Sequence, residues 1–297
     1  MKKVAASEVG QASSLSGSAG FQPAILHVPE DMTATVAASV TLAELQTALA
    51  KSRQWLPIDS SPPTSTIAEL LNSNASGPRR FGYGTPRDYV IGLKVRLADG
   101  RLVKSGGQVV KNVAGYDLQK LFIGSGGTLA LPVEVTFKLR PLPACERFVQ
   151  QRFTDLDAAG RVIESVVASE LAPIVFDLHR ADGSELALVL GFDGTQEDVA
   201  WQLEAASKLG FMEEAGLEYD RAFHTASPPV RNHSVLPSQL VEFLRALGDA
   251  PFVARAGNGI IFHRVNLPPA PASPATHLFR RVKDAFDPHH LLPGISA

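Results

Sequence analysis

The clearest pattern of hydrophobic and polar positions in this chain is a strict alternation near its midpoint. Across residues 133–140, which read VEVTFKLR, apolar and polar side chains take turns, and this period of two predicts a β-strand with one buried face. Residues 124–128, GSGGT, precede it and predict a bend, because glycine tolerates positive φ and lets other groups approach the backbone. Consecutive N–H groups exposed by such a bend can hold an anion.

Similar patterns predict further elements before that bend. Residues 33–40 alternate as a strand, and Thr41 with Glu44 forms a capping box for a helix that runs to about Lys51. Thr66 is the expected cap of a short helix over 67–71. A polar, glycine-containing loop follows over 74–86, and the Asp-Gly pair at 99–100 joins the strands of a hairpin, 93–97 and 101–103.

Residues 141–143, Pro-Leu-Pro, mark the expected domain boundary, because proline ends a strand. We expect a flexible tail over 1–23, a first domain over 24–143 and a second over 144–297. The second half shows a β-α-β-β-α order that is typical of a ferredoxin-like α/β sandwich. Its expected strands are 148–153, 174–179, 186–192, one near Phe252 and 260–265, and its helices are 156–171, 198–209, 237–247 and 276–286.

Composition narrows the function classes. The chain has 297 residues and a formal net charge of −2, which gives no basic field for nucleic acid. Its one cysteine, Cys145, excludes an internal disulfide and an iron–sulfur cluster held by four thiolates of this chain. No apolar window is long enough for a membrane span, and we expect a cytoplasmic location. No dinucleotide fingerprint, P-loop, nucleophile elbow or zinc-protease motif is present, and no metal site is expected.

Polar residues interrupt the otherwise apolar segment before the bend. Lys111, Asn112, Tyr116 and Asp117 need partners if the segment is buried. From spacing alone, a satisfied turn network is slightly favoured over the wall of a cofactor site.

The segment 111–143, KNVAGYDLQKLFIGSGGTLALPVEVTFKLRPLP, resembles the FAD-binding subunit of bacterial glycolate oxidase. That subunit belongs to the vanillyl-alcohol-oxidase class of flavoproteins, which have a PCMH-type FAD-binding domain. Residues 62–67, 74–80 and 83–92 are similar to the family as well, as is the C-terminal FDP at 286–288 with Pro293-Gly294. The resemblance implies an α+β fold, in which an N-terminally shortened PCMH-type FAD-binding domain precedes the ferredoxin-like sandwich domain.

The resemblance also implies a non-covalent FAD site. Its residues fall around the pyrophosphate and ribityl chain, beside the flavin ring, at a bracing loop, along a polar lining and near the adenine end. In chain order they are Pro63, Thr66, Ile67, Asn74, Ser76, Gly77, Arg87, Asp88, Lys111, Tyr116, Asp117, Gly127, Thr128, Leu129 and Val133. A plain ion pair is the alternative for Arg87 and Asp88, and no catalytic residue is assigned.

The function implied is that of an FAD-binding subunit in a glycolate (2-hydroxy acid) oxidase or dehydrogenase complex. Such a chain works with a catalytic flavoprotein subunit and an iron–sulfur subunit, and electrons from the flavin pass to the iron–sulfur partner. We expect it to support electron transfer or assembly more than to oxidise substrate by itself.

Three departures keep a second hypothesis open. Only a Ser- and Ala-rich tail precedes Thr35, whereas the family carries glycine-rich loops for the pyrophosphate in that region. A start site placed too late would also explain the absence of these loops. Ala68 and Glu69 stand where the family has two glycines, and a carboxylate repels a pyrophosphate by about 1–4 kcal/mol at 4 Å. Arg255 stands where related dehydrogenases carry a histidine, and arginine cannot act as a base. The alternative is a degenerate, non-catalytic scaffold subunit that has lost FAD.

Overall fold

A computed structural model describes residues 24–59, 64–107, 117–180, 185–226, 230–267 and 275–294. Two β-sheets organise these residues, one of five strands and one of seven, together with a two-stranded pair. The first 143 residues supply the five-stranded sheet and its helices. These elements are β1 (Ile25–Val28), β2 (Thr33–Ala37), α1 (Leu42–Ala50), β3 (Gln54–Trp55), α2 (Ile67–Ser73), α3 (Arg80–Tyr83), α4 (Pro86–Tyr89), β4 (Val90–Arg96), β5 (Leu102–Gly106), α5 (Gln119–Phe122), β6 (Leu131–Lys138) and β7 (Arg140–Pro141).

The five-stranded sheet has the order β1-β2-β6-β4-β5, and every neighbouring pair is antiparallel. The predicted alternation in β6 holds: Val135 and Phe137 are buried and lie in register with Val36 and Ala34 of β2. Helices α1 and α2 cover this face with Leu45 and other leucines of the same core. Both helices begin at capping boxes.

The remaining elements are β8 (Cys145–Phe153), α6 (Leu156–Val167), β9 (Val175–Arg180), β10 (Leu186–Gly194), α7 (Gln196–Ser207), β11 (Glu213–Glu214), α8 (Glu218–Thr225), β12 (Arg231–Ser234), α9 (Leu240–Ala246), β13 (Phe252–Arg255), β14 (Ile260–His263) and α10 (Thr276–Phe286). All but α10 build the seven-stranded sheet and its helices, and they confirm the β-α-β-β-α order. The strand order is β11-β8-β10-β9-β13-β14-β12, with all neighbours antiparallel, and its first four positions reproduce a ferredoxin-like sheet. The helix α10 packs on the first core instead, where the Phe286 ring lies 5.6 Å from that of Phe122.

Several described elements escaped the sequence patterns, among them β1, α3, α8 and β12. The strand β12 reads RNHS, so it lacks the apolar alternation on which strand prediction depends. The helix α6 ends at Val167, four residues earlier than expected. Ser169 ends it, because its hydroxyl donates to the Val166 carbonyl at 2.7 Å and accepts from the Leu171 N–H at 3.2 Å, in place of continued helical hydrogen bonds.

The segment around α3 joins the two sheets. Arg79 pairs with Asp59 at 2.5 Å and with Glu146 of β8 at 2.6 Å. The ring of Phe81 lies 5.6 Å from that of Phe176, edge to face, and the Gly82 N–H donates to the Ile174 carbonyl at 3.0 Å. The end of α2 and the loop after it are thereby held against the seven-stranded sheet.

Candidate functional site

A cavity of about 560 Å³ lies between residues 73–77, at the end of α2, and the seven-stranded sheet. We call it the central cavity. Its volume falls within the range of about 300–1,000 Å³ that is usual for ligand sites. It is lined by Asp59, Ser73, Asn74, Ala75, Ser76, Gly77, Arg80, Asp220, His224, Asn232, His233, Ser234, Arg255, Ile260 and Phe262.

The wall formed by residues 73–77, which we call the cavity bend, takes its shape from the end of α2. Asn74 closes the helix in the left-handed region at φ 49°, which asparagine tolerates better than most residues. Its Oδ1 accepts a hydrogen bond from the Arg87 N–H at 3.1 Å. A Cβ on Gly77 would lie 2.3 Å from Cβ of Asp59, so glycine is required there for packing of the chain against itself.

The opposite wall contains a buried charged cluster. Arg255 donates to the carboxylates of Asp177 and Asp220, the latter at 2.6 Å, and the Tyr219 hydroxyl donates to Asp177 at 2.6 Å. Burial raises the pKa of Asp177 to about 6 although Arg255 and Tyr219 favour its charged form. Burial also opposes the ionisation of Asp220, but Arg255 and His224 outweigh it and lower the pKa of that carboxyl.

Two histidines of this wall face the cavity. His224 lies on α8 with Nε2 3.5 Å from Oδ1 of Asp220. His233 lies on β12, and its Nδ1 is 2.8 Å from Nε2 of the fully buried His263. Burial, together with the nearby His233 and Arg231, lowers the pKa of His263. The wall thus combines proton acceptors with a fixed, charge-compensated arginine.

The second glycine-containing bend, residues 124–128, does not line the central cavity. Its N–H groups donate to carbonyls of the protein: Gly124 to Leu71 and Gly126 to Asn72, both at 2.8 Å. The N–H groups of Ser125 and Thr128 donate to Phe122 and Ser125. These four N–H groups are therefore not available to an anion. We call this segment the packed bend.

The predicted site residues divide between these two bends and the core. Asn74, Ser76 and Gly77 line the central cavity, whereas the other described ones do not. Thr66 caps α2 and Ile67 is fully buried beneath it. The cavity lining does not include Arg87, Asp88, Asp117, Gly127, Thr128, Leu129 or Val133, and Pro63, Lys111, Tyr116 and the tail 1–23 lie outside the described residues.

The structure changes the interpretation of two acidic residues, Asp88 and Glu69. Asp88 accepts from the N–H and hydroxyl of Thr85 at 2.8 and 2.9 Å, so it caps α4, and the described residues show no ion pair between it and Arg87. Glu69 accepts from the Thr66 N–H at 2.9 Å as the second half of a capping box. Its carboxylate therefore has a structural task at the start of α2.

Sequence reasoning missed most of the polar cavity lining: Asp59, Arg80, Asp220, His224, Asn232 and His233. Only one signal could have found part of it. Asp220 and His224 are four residues apart, the spacing of neighbours on one face of a helix. Because the sequence patterns did not predict α8, that spacing could not be interpreted as one face of a helix.

Among the described residues, no group of three or more His, Cys, Asp or Glu side chains could hold a metal ion. In the same part of the chain, every helix is too short or too polar to cross a bilayer.

Comparison with known proteins places these features in a family context. Residues 9–106 match the family model described as FAD binding domain. Glycolate oxidase subunit GlcD of Bacillus subtilis is 39% identical over 149 residues, which are 50% of this chain and 32% of that protein. D-lactate dehydrogenase of Archaeoglobus fulgidus is 34% identical over 53% of this chain and 35% of its own length. Glycolate oxidase subunit GlcE of Escherichia coli is 31% identical over 46% of this chain and 39% of its own.

Among solved structures, alkyldihydroxyacetonephosphate synthase superposes with a TM-score of 0.66 at 17% identity, over 89% of this chain and 63% of that one. The α+β fold, the resemblance to glycolate oxidase subunits and the prediction of FAD as cofactor are thereby confirmed. The matched segment spans about a third of the length of the curated relatives.

The residues of the central cavity fit part of FAD. A flavin ring has a flat apolar body and a polar edge, and the cavity offers Ile260 and Phe262 beside Asn74 and Ser76. The cavity bend itself falls within the segment that matches the FAD binding domain. The packed bend does not fit the pyrophosphate, because the four N–H groups described above already have partners.

Proposed function

We propose that this chain, as a relative of the FAD-linked oxidoreductases of 2-hydroxy acids, is an FAD-binding subunit of a glycolate (2-hydroxy acid) oxidase or dehydrogenase complex. The observation that carries the proposal is the central cavity. One wall, residues 73–77, lies within the FAD binding domain match, and the other presents histidines held by buried partners. Glycolate and D-lactate are both 2-hydroxy acids, so the names of these curated relatives agree on that substrate class.

When bound, FAD supplies a two-electron acceptor for the hydrogen on the carbon that bears the hydroxyl. The chain's own residues supply the remaining requirements. The hydroxyl proton needs an acceptor, and the imidazoles of His224 and His233 are the cavity groups suited to it. Arg255 cannot accept a proton, and its guanidinium is already engaged by Asp177 and Asp220. Its role is to fix Asp220, which in turn lies beside His224.

The partners belong to the proposal as well. We infer a catalytic flavoprotein subunit and an iron–sulfur subunit in the complex. Because Cys145 is the single cysteine of the sequence, the cluster that receives electrons has to be held by another chain. A cytoplasmic location is part of this proposal.

The test is reconstitution of the purified full chain with FAD. After incubation and removal of free cofactor, we expect a visible flavin spectrum at close to one FAD per chain. Riboflavin, which lacks the pyrophosphate and adenine, is the matched probe for how much of the affinity comes from the ring. A colourless protein with no measurable affinity for either compound contradicts the cofactor part of the proposal.

A scaffold subunit of the same kind of complex is the second candidate, and the packed bend is the observation that favours it. The N–H groups of Gly124, Ser125, Gly126 and Thr128 are engaged within the protein, so they add little to a cradle for FAD. Purification of the chain with its partner subunits but without flavin would select this candidate over the first.

A further inference from the structure

Arg80 is the arginine of the central cavity that has no carboxylate partner within the described residues. Its Nη1 donates to the Ser76 hydroxyl at 3.0 Å, and no ion pair within 4.0 Å joins it to a described acid. The acids that line the cavity are engaged elsewhere: Asp59 with Arg79 at 2.5 Å and Asp220 with Arg255 at 2.6 Å.

The surroundings of Arg80 leave its charge poorly compensated. The side chain is half-buried, and burial lowers the pKa of its guanidinium; Asp88 opposes this shift and Arg255 adds to it. Asp88 already accepts two hydrogen bonds from Thr85. A partly desolvated cation with one neutral partner costs free energy that a bound anion would recover.

We propose that Arg80 is an anion-binding residue of the central cavity and holds the carboxylate of a small hydroxy acid, with Ser76 fixing its guanidinium. The planar fork of arginine matches the two oxygens of a carboxylate. The neighbouring Arg255 cannot take this role, because both of its carboxylate partners are buried with it. Only the chemical identity of the anion rests on the proposed function, since the unpaired guanidinium is a property of the cavity.

Glycolate and its neutral amide, glycolamide, are matched probes, because they differ in charge but hardly in size. Calorimetric titration of the full chain without FAD should detect glycolate and little or no glycolamide. Arg80→Gln should weaken glycolate binding about tenfold or more, the effect of losing a charge-assisted hydrogen-bond pair. Arg80→Lys keeps the charge without the planar fork, so its affinity for glycolate should fall between those of the unchanged protein and Arg80→Gln. Arg161→Gln, on the exposed face of α6, should bind as the unchanged protein does.

A phosphate of FAD is the other source of the same kind of contact, and a second arm separates the two. If Arg80→Gln weakens the binding of FAD but not that of riboflavin or glycolate, the anion that Arg80 binds is a phosphate of the cofactor. If Arg80→Gln and Arg80→Lys both bind glycolate and FAD as the unchanged protein does, the proposal is overturned. If the chain has no affinity for flavin but binds glycolate in a way that depends on Arg80, the proposed anion site stands and only the proposed function is refuted.

Discussion

Two bends of this chain are both built from small residues but face different surroundings. The cavity bend, residues 73–77, lines the space between the sheets. In the packed bend, residues 124–128, the N–H groups of Gly124 and Gly126 donate to the end of α2, and those of Ser125 and Thr128 donate to neighbouring carbonyls. Lys283 fastens it from the other side, with Nζ 2.9 Å from the Thr128 carbonyl. The two bends even touch, since a Cβ on Gly124 would lie 3.3 Å from Cβ of Asn74.

The difference shows that small residues and glycine indicate a close approach to the backbone but do not identify the approaching group. At the cavity bend, the space beside the backbone is open to a ligand. At the packed bend, the approaching group is the protein's own helix end. Backbone N–H groups that already have carbonyl partners add little to anion binding.

The largest effect we expect is on the wall opposite the cavity bend. Arg255→Met leaves Asp177 and Asp220 buried without their partner, which should lower the free energy of unfolding by about 3–5 kcal/mol. Arg245→Met is the matched control: its ion pair with Asp157 is exposed and is worth at most about 1 kcal/mol. Chemical denaturation measures both, and equal small losses would show that the buried cluster does not hold this wall.

Gly127→Val tests the packed bend. Gly127 has φ 74°, and an added Cβ would lie 3.4 Å from Nδ2 of Asn72, so we expect a loss of about 1–3 kcal/mol from backbone strain. Gly100→Val shares the positive φ, 85°, but has open space around it and should lose less. The folded Gly127→Val protein should bind FAD as tightly as the unchanged one. A fall in FAD affinity beyond the loss of stability would place the packed bend at the cofactor after all.

Ala75→Phe is the converse test, since it fills the space beside the cavity bend. Ala75 is exposed and lines the cavity, so stability should change by no more than about 0.5 kcal/mol. FAD affinity, measured by fluorescence titration, should fall by about tenfold or more, roughly 1.4 kcal/mol. Ala50→Phe, at the exposed end of α1, controls for the added ring. Unchanged FAD affinity in Ala75→Phe would break the distinction between the two bends.

The smallest effect concerns pH and the cavity wall. The pKa of His263 is lowered by burial and by the neighbouring His233, so the unfolded chain takes up a proton at a higher pH than the folded one. The contribution of His263 to stability is therefore present above about pH 6.5 and is lost as the pH falls below it. His263→Gln should flatten the decline in unfolding free energy between pH 7.5 and 5.5. The same slope in both proteins would mean that His263 is not the group responsible.

Much of the fold could be predicted because it depends on local patterns. The alternation over 133–140 predicted β6, and the Asp-Gly pair predicted the hairpin of β4 and β5. The box Thr41–Glu44 predicted where α1 begins, and Thr66 predicted the cap of α2, whose box with Glu69 only the structure showed. By contrast, β12 carries the polar sequence RNHS, and three of these residues line the cavity, so the polar side chains that line the cavity also hid the strand.

The candidate site was only partly predictable for the same reason. The motif around Asn74, Ser76 and Gly77 was found because it is contiguous in sequence. The wall opposite is assembled from β9, α8, β12 and β13, whose side chains meet only through the order of the seven-stranded sheet.

By itself, then, the sequence determined the strands, the helix starts and the FAD-binding resemblance, because each is written in residues close together along the chain. Only the tertiary structure decided which bend faces a cavity. That choice depends on whether the N–H groups of Gly124 and Gly126 find carbonyls more than fifty residues earlier, at Leu71 and Asn72. It also decided that two buried acids pair with Arg255 while no described acid forms an ion pair with Arg80, since charge compensation is a matter of distance in space.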